Sequence, residues 1–451
     1  MTAPARTAAY HALRAVLGRT QDLPAALAQS RRKLEDERDR ALTAEIVTGT
    51  LRWLRSLDSL IEHFAKRSLH QLDAEVVIIL RLSIYQLLHL DRVPASAVVD
   101  DAVNLTRAAR KPSAAGFVNA VLRSLLRQRH KLPLPPRPDT VSPEAQRAYL
   151  GITHSHPDWL VERWLARHGF DATEAWTRFN NETPALTLRV NTLRASVDEA
   201  MRALEADAVE TERARYAPDG LVVTSGNPLR RPSDGLVFVQ DEASQLVPFI
   251  VNPQPGERVL DLCASPGGKT TAMATLMRDT GTIVATDVRA RRMNLLEQTV
   301  RSSGARSIQI ETVQTQGPLP FDADFDRVLV DAPCSGLGTI RRDPDIRWRR
   351  TDADLPGLAA QQLDLLARGA ATVRPGGRLV YATCSCEPEE NEQVVDAFLA
   401  ANRDFVLVDL AGETLPIPMT RLIDARGMFR TLPFRDRLEA FFAAALRRGT
   451  I

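Results

Sequence analysis

From residue 258 onward, strand-like and helix-like stretches alternate, and this alternation constrains the fold more than any other feature of the 451 residues. Short apolar runs at 259–263, 283–287, 308–313, 328–331, 378–383 and 405–408 read as strands. Helix-length stretches at 270–278, 290–302, 356–373 and 389–401 lie among them. Such a pattern predicts an α/β domain with a doubly wound, mostly parallel sheet over 236–451. Residues 438–447 are predicted to return as an edge strand.

The upstream texture differs. Over 5–130, apolar residues recur at three and four spacing, as in Leu42, Ile46, Val47, Leu51 and Leu54, then Leu57, Leu60, Ile61 and Phe64. That is the period of amphipathic helices, so residues 1–130 are expected to form an all-α bundle with 76–90 as its most buried helix. A proline-rich stretch at 132–138 reads as an extended linker, and with a short helix at 158–168 it accounts for 131–169. Strand-like pieces at 186–190, 221–224 and 236–240, with a helix at 197–206, predict a small α+β module over 170–235.

Composition narrows the function. Lys and Arg number 58 against 56 Asp and Glu, too even to announce a polyanion partner. The first 150 residues, however, carry 23 basic against 15 acidic side chains, and a basic face attracts nucleic acid. The most apolar run, 76–90, is shorter than the roughly 20 residues a membrane span needs and is interrupted by Arg81, Gln86 and His89. No signal peptide is legible at the start. Four cysteines in so long a chain make no disulfide framework. A reducing cytoplasm and no membrane partner are expected, so the thiols stay free.

Three turns carry candidate chemistry. The first strand opens into Cys263-Ala264-Ser265-Pro266-Gly267-Gly268-Lys269, a glycine turn before a helix that lets backbone approach a nucleotide-like ligand closely. It is neither a P-loop nor GxGxxG, because Cys263 stands where the former needs glycine. The next strand ends at Asp287, placed to meet the ribose of an adenosine cofactor, or else to cap the following helix. The other two turns, Asp331-Ala332-Pro333-Cys334 and Thr383-Cys384-Ser385-Cys386, close successive parallel strands. Neighbouring strands lie about 4.8 Å apart, so both turns can face one reacting centre. Metal ligation is disfavoured: the cysteine spacing is not CxxC and no His cluster accompanies it.

These turns resemble those of S-adenosylmethionine-dependent RNA cytosine-C5 methyltransferases. The segment Ile340-Arg-Arg-Asp-Pro-Asp-Ile-Arg-Trp-Arg-Arg350 is similar to the bacterial 16S ribosomal RNA branch, the RsmB/Sun type. So are Asn191 in Leu-Arg-Val-Asn and the stretch Val-Gln-Asp-Glu-Ala-Ser-Gln ending at Gln245. Gly49-Thr-Leu-Arg52, Leu80-Arg-Leu-Ser-Ile-Tyr85 and Gly116-Phe-Val-Asn-Ala-Val-Leu-Arg123 resemble the NusB-like RNA-binding domain of that branch, and the small module would correspond to an RRM-like fold.

The resemblance implies methyl transfer from S-adenosylmethionine to cytosine C5 of 16S rRNA, with the cofactor on residues 263–269, Asp287 and Asp331. It assigns Cys384 as the nucleophile adding to C6, Asp331 as a hydrogen-bond or proton donor at N3, and Cys334 as the group aiding loss of the C5 proton. Cys386 matches no role and is expected to be structural. The partner implied is RNA, not DNA, bound by a monomer, with Arg341, Arg342, Arg347, Arg349, Arg350 and Trp348 contacting it. The same chemistry on tRNA or another RNA, and a non-catalytic assembly or antitermination factor, remain as alternative readings. Two departures stand out. Gln316 occupies the place of a cofactor-facing carboxylate, and Arg435-Asp-Arg-Leu-Glu-Ala-Phe-Phe442 lacks the usual Asp-Gly.

Overall fold

A computed structural model describes residues 2–139, 142–230 and 235–450. They divide into two units: Met1–Glu182 with Ile340–Asp352, and Thr183–Thr339 with Ala353–Ile451. Among the described residues no helix is long and apolar enough to cross a membrane.

The first unit is helical. Its helices Pro4–Leu17, Leu23–Lys33 and Glu37–Arg52 start at prolines or at aspartates, with Asp22 and Asp36 accepting from backbone N–H groups of the first turn. Helices Leu54–Ala65, Ala74–His89, Ala95–Ala108 and Ala115–Arg127 follow. Ala74–His89 is the expected central helix: Ile79, Leu80, Leu82 and Ile84 are wholly buried. Gly49 explains how closely a neighbour approaches it. A Cβ there would lie 1.9 Å from the Tyr85 ring, whose hydroxyl donates to Glu45. The proline-rich stretch is no free spacer, because Leu132 and Leu134 pack on the bundle core and Thr153 donates to Pro135 O. Helix Asp158–Asn181 runs on through a break at Gly169. Trp164 stacks on Trp176 within it at 4.4 Å.

The second unit holds two sheets. The smaller contains β1 (Thr187–Val190), β2 (Glu210–Arg213), β3 (Gly220–Ser225) and β4 (Val237–Val239) in the order β2-β3-β1-β4. Helix Val197–Ala206 packs on it, started by a reciprocal Ser196–Glu199 cap. The larger comprises β5 (Arg258–Leu262), β6 (Thr282–Asp287), β7 (Ile308–Thr312), β8 (Phe325–Asp331), β9 (Val373–Thr383), β10 (Phe405–Leu407), β11 (Phe429–Arg430) and β12 (Phe442–Arg448). The path is β10-β12-β9-β8-β5-β6-β7, with β11 beside β12. Strands β5 to β9 pair in parallel. From β5 the path proceeds one way to β6 and the other way to β8, a switch of direction that opens a crevice beyond the carboxyl ends.

One strand expectation is corrected. The returning segment is β12, and it lies inside the sheet, antiparallel to both β9 and β10. Phe442 to Leu446 are all wholly buried, as a strand covered on both faces requires. The edge falls instead to β10, whose Val406 is exposed.

Candidate active site

The turn after β5 is shaped by two glycines with different tasks. Gly267 has φ +103°, and a Cβ there would crowd Leu296 and Thr299 at 3.0–3.2 Å. Gly268, the first residue of helix Gly268–Leu276, has ordinary dihedrals but lies against Gln240, where a Cβ would come within 3.3 Å. Gln240 is itself fixed by the buried Arg189, which donates to Gln240 Oε1 and Thr271 Oγ1. Ser265 Oγ donates to Arg292 O, and Ala264 N–H donates to Thr286 O. Pro266 completes the turn. The outcome is a small-residue cradle at the N-terminus of helix Gly268–Leu276.

Asp287 closes β6 and is 2% exposed. Its Oδ1 accepts from Val288 and Arg289 N–H, while helix Ala290–Ser303 has no side-chain cap; the residue therefore holds the turn rather than capping the helix. Its Oδ2 is buried without a hydrogen bond, Arg292 Nη1 lying 3.6 Å away as an ion-pair partner. An orphaned acceptor of this kind suits a hydroxyl donor such as a ribose. Together with the cradle it fits an adenosyl cofactor. Gln316, by contrast, is exposed and offers no carboxylate.

Cys263 spans the turn at φ +70°. Burial, then the charges of Asp287, Asp331 and Asp261, push its thiol up to about 12, which makes it inert at neutral pH. Beneath it, Asp261 is wholly buried and accepts from Thr270 Oγ1 at 2.6 Å. Burial pushes its carboxyl up to about 7, reinforced by the neighbouring Asp331 and Asp287.

The two cysteine turns meet as expected. Strands β8 and β9 are parallel neighbours with Asp331 opposite Ala382, and Cys334 Sγ lies 3.1 Å from Cys384 Sγ. The Cys334 thiol is held well above its ordinary value, first by its hydrogen bond to Cys384, then by burial and by the charge of Glu390. The two sulfurs share one hydrogen bond, which either thiol can donate. Cys386 is buried and donates to Glu387.

Asp331 Oδ2 accepts from Lys269 Nζ at 2.6 Å, which ties the end of β8 to the cofactor turn. Burial alone would lower the lysine, but the charge and hydrogen bond of Asp331 outweigh it and hold Lys269 above its ordinary value. Lys269 was legible as part of the cofactor turn. Its partner was not, since 62 residues separate them.

The arginine-rich segment is also corrected. Ile340–Asp352 belongs to the first unit, and there Arg347 is wholly buried. Its guanidinium donates to Arg52 O, Ser155 O, Asn180 O and Asn181 Oδ1. Trp348 Nε1 donates to Leu51 O, Arg341 lies 4.0 Å over the Phe179 ring and Arg349 pairs with Asp345. Arg347 is tied inward to backbone carbonyls and leaves no surface for RNA, whereas Trp348 is half-buried. Near the chain end, the turn lacking Asp-Gly is made by Arg437 at φ +61°.

Fold, cradle and the Asp287 acceptor fit the class of S-adenosylmethionine-dependent methyltransferases. Comparison with known proteins narrows the class. Residues 248–447 match the family described as 16S rRNA methyltransferase RsmB/F, 3–127 the NusB family, and 156–230 the ferredoxin-like domain of RsmF/B-like methyltransferases. The chain is 34% identical over 416 residues to the probable ribosomal RNA small subunit methyltransferase B of Bacillus subtilis, covering 91% of each. To the protein of the same description in Synechocystis it is 36% identical, covering 91% of this chain and 92% of that one. The crystal structure of PH0851 superposes with a TM-score of 0.81 at 29% identity, covering 99% of both chains. A methyltransferase homologue from Pyrococcus horikoshii gives 0.58 at 29% identity, covering 68% of this chain and all of the other. The chain belongs to the RsmB/F family of 16S rRNA methyltransferases. The ferredoxin-like match agrees with the small α+β module expected from the sequence.

Proposed function

We propose that this protein methylates C5 of a cytosine in 16S ribosomal RNA through a transient bond between Cys384 Sγ and C6 of the base. The observation that carries the reading is the approach of two sulfurs to 3.1 Å on adjacent strand ends of the sheet that bears the cofactor cradle. Cytosine C5 is too weak a nucleophile to take a methyl group unaided. Addition of a thiolate at C6 breaks the conjugation and places the electron pair on C5. S-adenosylmethionine, when bound by the cradle and Asp287, supplies an electrophilic methyl group.

Each residue then has a definable task. Cys384 attacks C6, stabilised as a thiolate by the hydrogen bond from Cys334. Charge builds toward O2 and N3 of the ring, and Lys269 Nζ, with three donors of which one goes to Asp331, is the cation available to it. Asp331 orients that cation and accepts from the base. After the C6–S bond forms, Cys384 is a neutral thioether and no longer accepts from Cys334. C5 would take the methyl group with its electron pair, leaving a neutral thioether in place of the sulfonium. Cys334, the second sulfur of the pair, then acts as the base with its own proton passed to solvent: it takes the C5 hydrogen as a proton, the electron pair of the C5–H bond restores the C5–C6 double bond, and the Cys384 thiolate departs. The base must be unpaired or flipped out for this approach. We place the reaction in the cytoplasm, on RNA rather than DNA, by a monomer.

The test has two parts. Mapping 5-methylcytosine in 16S rRNA from cells with and without the gene is expected to show one site lost; loss confined to tRNA would refute the substrate. Cys384→Ala is expected to abolish transfer while S-adenosylmethionine affinity stays within about threefold. Transfer near the wild-type rate would refute the nucleophile.

A further inference from the structure

Behind the two sulfurs, facing away from the cofactor cradle, lies a buried polar group that the chemistry above does not use. Glu390 is wholly buried, as is Gln362, while Ser335 and Ser385 are each 1% exposed. Ser335 directly follows Cys334, and Ser385 directly follows Cys384. The Glu390 carboxylate accepts from Ser335 N–H at 2.7 Å and Gln362 Nε2 at 2.9 Å on one oxygen. Its other oxygen accepts from Ser335 Oγ at 2.5 Å and from Ser385 Oγ. Each serine has a single hydroxyl proton and gives it to this carboxylate, so the 3.2 Å between the two hydroxyl oxygens is their common attachment to one acceptor. Gln362 extends the tie to Pro333 O at 3.0 Å. Tyr381 OH and Thr383 Oγ1 anchor the far side, on Glu390 O and Asn391 Oδ1.

We propose that Glu390 is the positioning residue of the sulfur pair: through Ser335 and Ser385 it clamps the two cysteine turns so that Cys334 and Cys384 stay at reacting distance. The inference rests on the reading of these cysteines as the reacting pair. A carboxylate is suited to the task because it offers about four lone-pair sites and no donor, and four donors converge on it. Neutral Gln at this position has one acceptor oxygen and two N–H donors, which would confront either the hydroxyl pair or the Ser335 and Gln362 donors. The charge has a second consequence. Glu390 is among the groups that keep Cys334 a thiol, so the clamp also sustains the hydrogen bond to Cys384. A displacement of about 1 Å in a reacting group costs about 100-fold in rate.

The experiment compares wild type, Glu390→Gln, the double variant Ser335→Ala/Ser385→Ala and the triple variant, using a 16S rRNA transcript and radiolabelled S-adenosylmethionine. Glu390→Gln is expected to lower kcat about 100-fold with both KM values within about threefold. The serine pair is expected to fall comparably, and adding Glu390→Gln to it to change kcat by less than about threefold, the non-additivity of residues acting through one another. A second readout avoids turnover. Diamide, a two-electron oxidant, takes two electrons and two protons from Cys334 and Cys384 as they form a disulfide. That rate is expected to fall at least about 10-fold in Glu390→Gln, with circular dichroism and S-adenosylmethionine affinity unchanged. Wild-type kcat and diamide rate in Glu390→Gln, or additive losses in the triple variant, would overturn the proposal. Should Glu390→Gln not fold, the serine pair decides on the same two readouts. Cys384→Ala, run alongside, separates the two ideas: if it keeps transfer, the cysteine reading fails, and the diamide rate still decides whether Glu390 sets the spacing.

Discussion

Asp261 offers a stability measurement whose size and sign follow from its surroundings. It lies wholly buried below the cofactor turn, with one oxygen accepting from Thr270 and the other without a partner among the described residues. Moving its carboxyl from 3.8 to about 7 corresponds to about 4 kcal/mol between its two charge states. In the unfolded chain the group ionises near its ordinary value; in the folded chain it does so only near 7. Between these values the native state holds the extra proton, so stability falls as pH rises, and above about 8 the whole penalty is present. Asp261→Asn keeps an acceptor for Thr270 and turns its amide toward the carboxylates of Asp331 and Asp287, without any ionisation. Denaturant midpoints of both proteins are to be measured from about pH 5 to about pH 8.5. The variant is expected to draw ahead by about 3 kcal/mol between about pH 5 and about pH 8.5, most of the gain falling below pH 7. Parallel curves, or a variant less stable throughout, would refute the assignment of a buried carboxyl that is costly to ionise.

Two further outcomes test other parts of the molecule. Cys334→Ala is expected to accumulate an RNA–protein adduct that survives denaturing gels, because the Cys384–C6 bond forms but the C5 proton is not removed; normal turnover without adduct would exclude Cys334 from the mechanism. Arg347→Ala leaves three backbone carbonyls and the Asn181 amide oxygen without their donor. It is expected to cost about 3 kcal/mol and to expose 340–352 to limited proteolysis. The salt dependence of RNA binding should keep its slope, whereas a residue contacting phosphate would reduce it by about 1; a reduced slope with unchanged stability would restore Arg347 to the RNA interface.

What could be read from sequence and what could not divide along one physical line. The cradle at Gly267 and Gly268, the carboxylate at Asp287 and the cysteine turns are set by a few consecutive residues at strand ends, so local pattern and topology place them. Strand β12 was legible as a strand but not as an interior one. Its neighbours β9 and β10 are chosen by pairing, and Phe442 to Leu446, buried on both faces, reveal the choice only once the sheet is assembled. The arginine segment misled for a related reason. A guanidinium among other arginines reads as a phosphate contact, yet Arg347 satisfies carbonyls from Arg52, Ser155 and Asn180, partners spread through the chain.

The site's charges follow the same rule. Asp331 was legible as a site residue, whereas its tie to Lys269, 62 residues away, is made only by the fold. Glu390 looked like one more acid in the run before a helix, whereas the fold puts four donors on its carboxylate. Each of these groups is ionisable and buried or half-buried, and in such places a charge is tolerated only when partners surround it. The partners, not the residue type, therefore decide which group gives a proton and which receives one. Here they make Lys269 a donor to Asp331 and Glu390 an acceptor of four donors, while the two sulfurs share one hydrogen bond. An incoming cytosine would meet that division of roles already in place, with the exchange between Cys334 and Cys384 the one proton relation that bond formation at C6 must reverse.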